Sequence, residues 1–517
     1  MPDWLKDAVF YEIYPQSFYD TNGDGIGDIN GITEKLDYVK WLGCNAIWIN
    51  PCFDSPFRDA GYDVRNYKKV APRYGTNRDL SRLFQEAHKK GIKILLDLVP
   101  GHTSEQHPWF KKSCRPEKNR YTNRYIWTDS VWDNPRDYHF ISGRAGRDGN
   151  YLVNFFSTQP ALNYGFRERT AGWQLPCDHP DCIATRKAME DVMRFWLQQG
   201  CDGFRVDMAD SLVKNDDEKK SATGEIWKEI RSMLDREFPD AALVSEWSNP
   251  ELSLQYGFHC DFYLNHKGNG YYSLFRDTDP ETGEQRSFFS SRGTGNIRNF
   301  TDDYLPKYRR TKQLGRISFL TCNHDTPRMS RDFSETEMKL AYSFIFTMPG
   351  VPFLYYGDEI GMKYLGRLTS KEGGYERTGS RTPMQWNKRE NAGFSTAPAD
   401  RLYLPVDDSP GAPCVEEQAE KKDSLLNTVR TVIKLRHENP CMQADGPLEV
   451  VYAERNRYPF VFRRGGLLFA FNPSALGAEA PVRPQGTPVF AVGGKAVFEE
   501  KSIRMAPQSL VVIRQNP

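Results

Sequence analysis

Three carboxylates stand at or just beyond the ends of strand-like apolar runs. Asp207 ends Gly203-Phe204-Arg205-Val206-Asp207, Glu246 ends Ala241-Ala242-Leu243-Val244-Ser245-Glu246, and Asp325 follows Ile317-Ser318-Phe319-Leu320-Thr321-Cys322-Asn323-His324. Grouped carboxylates are suited to cleaving glycosidic bonds. A retaining enzyme sets a carboxylate nucleophile on one face of the sugar and a protonated carboxylic acid on the other, about 5–5.5 Å apart; an inverting enzyme holds them farther apart. Arg205 lies two residues before Asp207, on the same side of a strand, and so favours the ionised form that a nucleophile needs. Glu246 falls between an apolar strand and Trp247, where partial desolvation raises a carboxyl pKa and suits it to act as general acid and then base. Taken singly, each fits a barrel-end salt bridge or a helix cap as well; taken together they point to catalysis.

Something must bring these strand ends to one place. Eight short β-rich runs recur along the chain: Val9–Tyr14, Ala46–Asn50, Ile92–Val99, Gly203–Met208, Ala241–Trp247, Phe258–Leu264, Ile317–Cys322 and Pro352–Tyr356. Amphipathic stretches such as Thr33–Trp41, Asp79–Lys90 and Ala184–Gln199 lie between most of them. The alternation predicts an α/β fold, a parallel (β/α)8 TIM barrel with its active site at the C-terminal strand ends. Residues 1–102 and 170–439 are assigned to it. The stretch after the third strand is too long for a structureless loop, so 103–169 is read as a small inserted domain. Beyond Pro440 helical periodicity gives way to short β-type runs, so 440–517 is read as an antiparallel β-domain.

Length and composition agree with this plan. A chain of 517 residues exceeds one ordinary core. Its 69 basic residues nearly balance 68 acidic ones, leaving +1 with no run of one sign. Nothing therefore steers it to nucleic acid or an anionic membrane, and an uncharged partner is expected. Its 11 Trp, 26 Tyr and 31 Phe serve a large core and also supply faces for sugar rings. No charged leader followed by an apolar run opens the chain, and no stretch of about 18 apolar residues occurs, so a cytoplasmic protein is expected. Ten scattered cysteines suit reduced thiols. Cys177 and Cys182 bracket a short loop without a usual zinc spacing.

The chain resembles the α-amylase family of glycoside hydrolases, family 13, over nearly its whole length. Four ordered signatures carry the resemblance: Asp97-Leu98-Val99-Pro100-Gly101-His102, Gly203-Phe204-Arg205-Val206-Asp207, Ser245-Glu246-Trp247 and Asn323-His324-Asp325. It implies Asp207 as nucleophile, Glu246 as acid/base and Asp325 as a residue that binds sugar hydroxyls and distorts the ring. Arg205, His102 and His324 are placed with the substrate in the same subsite. Asp59-Ala60-Gly61-Tyr62-Asp63 and Arg381-Thr382-Pro383-Met384-Gln385-Trp386 resemble the oligo-1,6-glucosidase and α-glucosidase branch. There Asp59 and Arg381 would pair to close the pocket around a non-reducing glucose, with Tyr62 as its stacking face. Asp20-Thr21-Asn22-Gly23-Asp24-Gly25-Ile26-Gly27-Asp28 alternates oxygen donors as a calcium loop does, with Gly31 where an EF-hand carries its glutamate. It resembles that branch's N-terminal calcium loop, which implies a structural Ca2+, or Mg2+, on Asp20, Asn22, Asp24, Asp28 and the Ile26 carbonyl.

Three positions depart from the family pattern. Gly101 replaces the usual Asn before the histidine, which argues against a second calcium between barrel and inserted domain. Met208 fits neither the Val that goes with α-1,6 preference nor the small residues that go with α-1,4. Ala161 in Gln159-Pro160-Ala161-Leu162-Asn163 replaces an acidic residue, which leans toward short maltooligosaccharides. The expected activity is a retaining exo-acting α-glucosidase on short α-gluco-oligosaccharides. Its rivals are a glucosyl transferase or mutase of the trehalose-synthase type, an endo-acting α-amylase, and a non-catalytic relative that binds sugar or a protein partner.

Overall fold

The computed structural model describes residues 1–293 and 295–516. Eight short strands, buried along nearly their whole length, form one parallel sheet: β1 (Phe10–Ile13), β2 (Ala46–Ile49), β3 (Lys93–Leu98), β4 (Gly203–Val206), β5 (Ala242–Ser245), β6 (Cys260–Phe262), β7 (Arg316–Ser318) and β8 (Phe353–Tyr355). Strands covered on both faces read as short, mainly apolar runs, which is why all eight were visible in the sequence. Neighbours pair in chain order, β1 pairs with β8, and a parallel bridge from Leu320 to Phe353 closes the ring between β7 and β8. β7 is shorter than expected: after Ser318 the chain keeps only that bridge and loops toward Asp325. Phe10, Trp48, Leu95, Val244, Phe262 and Phe353 fill the interior. Alternate residues such as Ile47, Ile94, Phe204 and Leu243 face the helices.

Gly203 shows how tightly β4 and β5 are joined. Its φ is +141°, and a Cβ there would come within 2.1 Å of the Ala242 carbonyl oxygen. Among the helices, Asn77–Lys89 and Glu335–Thr347 both start in capping boxes, Thr76 with Asp79 and Ser334 with Glu337.

Between β3 and the helix Pro180–Gln198 lie a helix, Pro108–Ser113, and a two-stranded ribbon of Phe140–Ile141 with Tyr151–Leu152. They surround a satellite core of Ile126, Leu152, Ala161, Phe166 and Trp173. At the other end, Glu449–Tyr452, Phe460–Arg464, Leu467–Asn472, Ser509–Gln515 and Gly486–Val492 form an antiparallel sheet in that spatial order. Three shorter strands make a second one. All ten cysteines are free thiols. Among the described residues no helix is long and apolar enough to cross a membrane.

Candidate active site

The C-terminal strand ends bring the three carboxylates around one guanidinium or beside it. Arg205, fully buried on β4, sends Nη1 to Asp97 Oδ1 at 2.8 Å and to Asp207 Oδ1 at 3.1 Å, while Nη2 meets Glu246 Oε2 at 2.7 Å. The backbone N–H of Met208 also donates to Glu246 Oε2, at 3.2 Å. Asp97 is held from its other side by Trp48 Nε1 and the Tyr62 hydroxyl, at 3.1 and 3.0 Å. One cation thus serves three carboxylates. Burial raises Asp207 well above the usual carboxylate range, and the charge of Glu246 adds to it, against the pull of Arg205. Arg205 pulls toward the ionised form, as expected, but shared three ways it does not outweigh burial.

Asp325 has the opposite environment. Burial alone would raise it, but His324, Arg381 and Arg377 hold it well below the usual range. Its Oδ2 is 3.2 Å from His324 Nε2, and its Oδ1 takes Arg377 Nη1 at 2.8 Å and Arg381 Nη2 at 2.9 Å. Burial alone would lower His324, yet Asp325 and Glu12 push it up to about 9. Its Nδ1 reaches Glu12 at 2.9 Å. His102, by contrast, is lowered by burial to about 4 and stays neutral.

A cavity of about 240 Å3 opens above these groups, lined by Asp59, Tyr62, His102, Phe155, Asp207, Met208, Glu246, Asp325 and Arg377. At roughly 30 Å3 per water it has the room of about eight waters, the scale of one hexose. Asp59 Oδ1 and His102 Nε2 are buried without hydrogen-bond partners, which leaves both free for sugar hydroxyls. Tyr62 stacks on the His324 ring at 5.3 Å while also lining the cavity. Arg205, His324 and Arg381 are not in the wall. They lie beneath it and orient the carboxylates, which corrects their placement against the sugar.

The expected Asp59–Arg381 pair is also corrected. Arg381 is spent below the pocket, donating Nε to the His324 carbonyl at 2.9 Å and Nη2 to Asp325. The residue facing Asp59 is Arg377, whose Nη2 lies 3.7 Å from Asp59 Oδ1. The short 3-10 turn Tyr375–Ser380 lifts Arg377 over the rim, so Asp59, Arg377 and Asp325 form one wall. Gln159 Nε2 steadies Asp59 Oδ2 at 2.8 Å, and burial pushes Asp59 up to about 6. Sequence reasoning missed Arg377 and Phe155; a second arginine four residues before Arg381 was the available signal for the first.

Gly101 is accounted for. A Cβ there would come within 2.6 Å of Asn154 Nδ2, and Asn154 Oδ1 accepts from Lys214 Nζ at 2.9 Å. Burial lowers Lys214 to about 8. An ammonium therefore occupies the joint between barrel and inserted segment.

In the Asp20–Asp28 loop the polar side chains fold inward onto backbone N–H groups. Asp20 accepts from Asn22, Gly23 and Gly25, Asn22 from Asp24, and Asp24 from Ile26, at 2.8–3.1 Å. Asp28 caps the helix Ile29–Glu34. Gly25, at φ +91°, has the Arg401 carbonyl 2.3 Å from where its Cβ would be. Among the described residues no three His, Cys, Asp or Glu side chains gather at metal-holding distance. The donors suit a hard cation by type, three carboxylates, an amide and a carbonyl.

Comparison with known proteins follows the same lines. A trehalose synthase/amylase of Mycobacterium tuberculosis is 34% identical over 485 residues, covering 85% of this chain and 76% of that one. An oligo-1,6-glucosidase of Heyndrickxia coagulans is 32% identical over 500 residues, covering 84% and 86%. Among solved structures, a mutant isomaltulose synthase of Erwinia rhapontici in complex with sucrose superposes with a TM-score of 0.80 at 26% identity, covering 100% of both chains. The family model of the α-amylase catalytic domain matches residues 12–445, and with it the chain belongs to the α-amylase family of glycoside hydrolases, family 13.

Proposed function

We propose that the protein is a retaining, exo-acting α-glucosidase that removes a terminal glucose from short α-gluco-oligosaccharides. The observation that carries this reading is the one-hexose cavity, walled by Asp59, Arg377 and Asp325 and floored by two carboxylates that share Arg205. Glu246 protonates the glycosidic oxygen as Asp207 attacks the anomeric carbon, giving a glucosyl-Asp207 ester; Glu246 then takes a proton from the water that cleaves it. The burial that raises Asp207 weakens it as a resting anion and makes it a willing nucleophile once the proton is on Glu246. Asp325, kept anionic by three cationic neighbours, accepts hydrogen bonds from hydroxyl groups of the ring.

A second reading is transfer of the glucosyl group to a sugar instead of water. Relatives named as synthases favour it, as do Phe155 and Met208, which bring apolar surface to the cavity wall. Maltose, isomaltose, trehalose, sucrose, maltotriose and soluble starch, followed by NMR, test both. Early α-glucose from the short substrates with starch spared supports hydrolysis with retention; isomerised disaccharides or longer oligomers support transfer; rapid starch fragmentation or β-glucose overturns both.

We propose further that the Asp20–Asp28 loop takes a structural Ca2+ through Asp20, Asn22, Asp24, Asp28 and the Ile26 carbonyl, on the strength of their hard oxygen donors. Melting in chelator, Ca2+ and Mg2+ tests it. A rise with Ca2+ that Asp24→Ala abolishes is expected; equal melting in all three conditions overturns it.

A further inference from the structure

We propose that Asp261, on the outer side of β6, is the positioning residue for Glu246, fixing the backbone from which the proton donor projects. The inference deepens the reading of Glu246 as acid/base and rests on it.

β6 pairs with β5 so that Asp261 lies opposite Ser245. Cys260 and Phe262 point into the barrel, and Asp261 points outward beneath the loop that follows β5. It is completely buried. Its Oδ1 accepts the Ser245 hydroxyl at 2.6 Å and the backbone N–H groups of Trp247 and Ser248 at 3.2 and 3.3 Å. These donors flank Glu246 on both sides, at the residue before it and the two after. Ser248 adopts φ +57°, a left-handed conformation that a non-glycine residue keeps only when its surroundings impose it. The Ser248 hydroxyl in turn accepts from the Leu264 N–H at 3.2 Å, beyond the end of β6. Glu246 is thus anchored from two sides: β4 and the turn after it hold its side chain through Arg205 and Met208 N–H and its own backbone through Val206 O and Ala209 N–H, while Asp261 on β6 holds the residues that flank it.

The cost of this arrangement argues for its use. Around buried Asp261 stand only uncharged donors, the hydroxyls of Ser245 and Ser253 and the N–H groups of Trp247 and Ser248, and among the described residues it forms no salt bridge. Burial pushes the group up to about 7. A carboxylate without countercharge destabilises an interior that an apolar side chain would fill at less cost. The gain falls on the loop that carries Glu246. A proton donor must sit within hydrogen-bond reach of the leaving oxygen, and a misplacement of about 1 Å costs up to about 100-fold.

Leaving-group dependence separates positioning from general support of the fold. Maltose needs its leaving oxygen protonated; 2,4-dinitrophenyl α-glucoside does not. Asp261→Ala should lower kcat/KM on maltose about 30- to 100-fold and on the aryl glucoside about 5-fold or less. Asp261→Asn, which keeps an acceptor for the two N–H groups but not the charge, should recover part of the loss, leaving about a 5- to 10-fold deficit on maltose and about none on the aryl glucoside, and it serves as the readout should the alanine variant not fold. Glu246→Gln is measured alongside. Selectivity in Glu246→Gln with equal losses, or none, in the Asp261 variants overturns this inference alone. Equal losses on both substrates in Glu246→Gln overturn the acid/base reading and this inference with it.

Discussion

Arg377 and Arg381 reach the same oxygen of Asp325, at 2.8 and 2.9 Å, and yet serve different ends. Arg377 is 24% exposed and spans from Asp325 toward Asp59, so its energy is released when a sugar is gripped. Arg381 is buried beneath and holds the chain that presents Asp325. Arg377→Ala is expected to raise KM on maltose about tenfold or more with little change in melting. Arg381→Ala should cost about 1–3 kcal/mol of stability by leaving the buried His324 carbonyl without its donor and the half-buried Asp325 carboxylate with one partner fewer. Steady-state kinetics and thermal melts read the split, and the reverse pattern would return the pocket-closing part to Arg381. Asp59 adds a pH dependence. Its folded value of about 6 exceeds the ordinary 3.8, so the native state holds the extra proton and stability falls as pH rises from about 4 to about 6. Above pH 6 the penalty is complete, at most ~3 kcal/mol from about two pH units. Asp59→Asn should therefore melt higher than the native protein at pH 7 and converge with it near pH 4, while capturing maltose more weakly at every pH.

At the scale of elements, the joint between barrel and inserted segment is made by small parts that fit one way. Gly101→Asn, restoring the residue usual in the family, drives a side chain into Asn154 and disturbs its bond to Lys214. The overpacking should cost about 1–3 kcal/mol. Added Ca2+ should not restore the loss, because the Lys214 ammonium already occupies the joint; a calcium-dependent gain in melting temperature would contradict that account. The same elements show what a sequence discloses. The eight barrel strands were legible because strands buried on both faces leave short, mainly apolar runs, and the catalytic carboxylates because they stand at or just beyond the ends of such runs. Short C-terminal strands such as Ala478–Ala480 and Ala496–Phe498 left no such trace, being three residues long and buried at one position or none. Arg377 was hidden because a 3-10 turn has no apolar period and its partner Asp59 lies 318 positions away. Asp261 was hidden because one acidic residue inside an apolar strand carries no spacing signal; its meaning comes only from the β5 loop folded over it.

Across the whole molecule, the C-terminal sheet is joined to the barrel through a continuous aromatic core. Phe471 packs against Phe344 at 5.8 Å and Phe289 at 6.0 Å, both from the barrel segment, and against Phe462 of its own sheet at 5.9 Å. Two buried arginines bind the same seam. Arg464 of the C-terminal sheet donates to the Thr347 carbonyl and to Gln443 O at 2.8 Å, while Arg436 donates to Phe346 O and Met348 O at 3.0 and 2.9 Å. The Phe346, Thr347 and Met348 carbonyls lie at and just beyond the C-terminal end of the helix Glu335–Thr347, where unsatisfied backbone acceptors favour cations. That helix leads directly into β8, which pairs with β1, so strain at the seam reaches the ring that carries the active site. Domains that meet through small polar interfaces melt separately; a shared apolar core couples them. Phe471→Ala should cost about 3–5 kcal/mol. Its consequence should be one transition at a lower temperature, with far-UV circular dichroism and activity on maltose lost together. Two separate transitions, with a barrel still active after the C-terminal sheet has melted, would mean that the aromatic seam fills space without coupling the two.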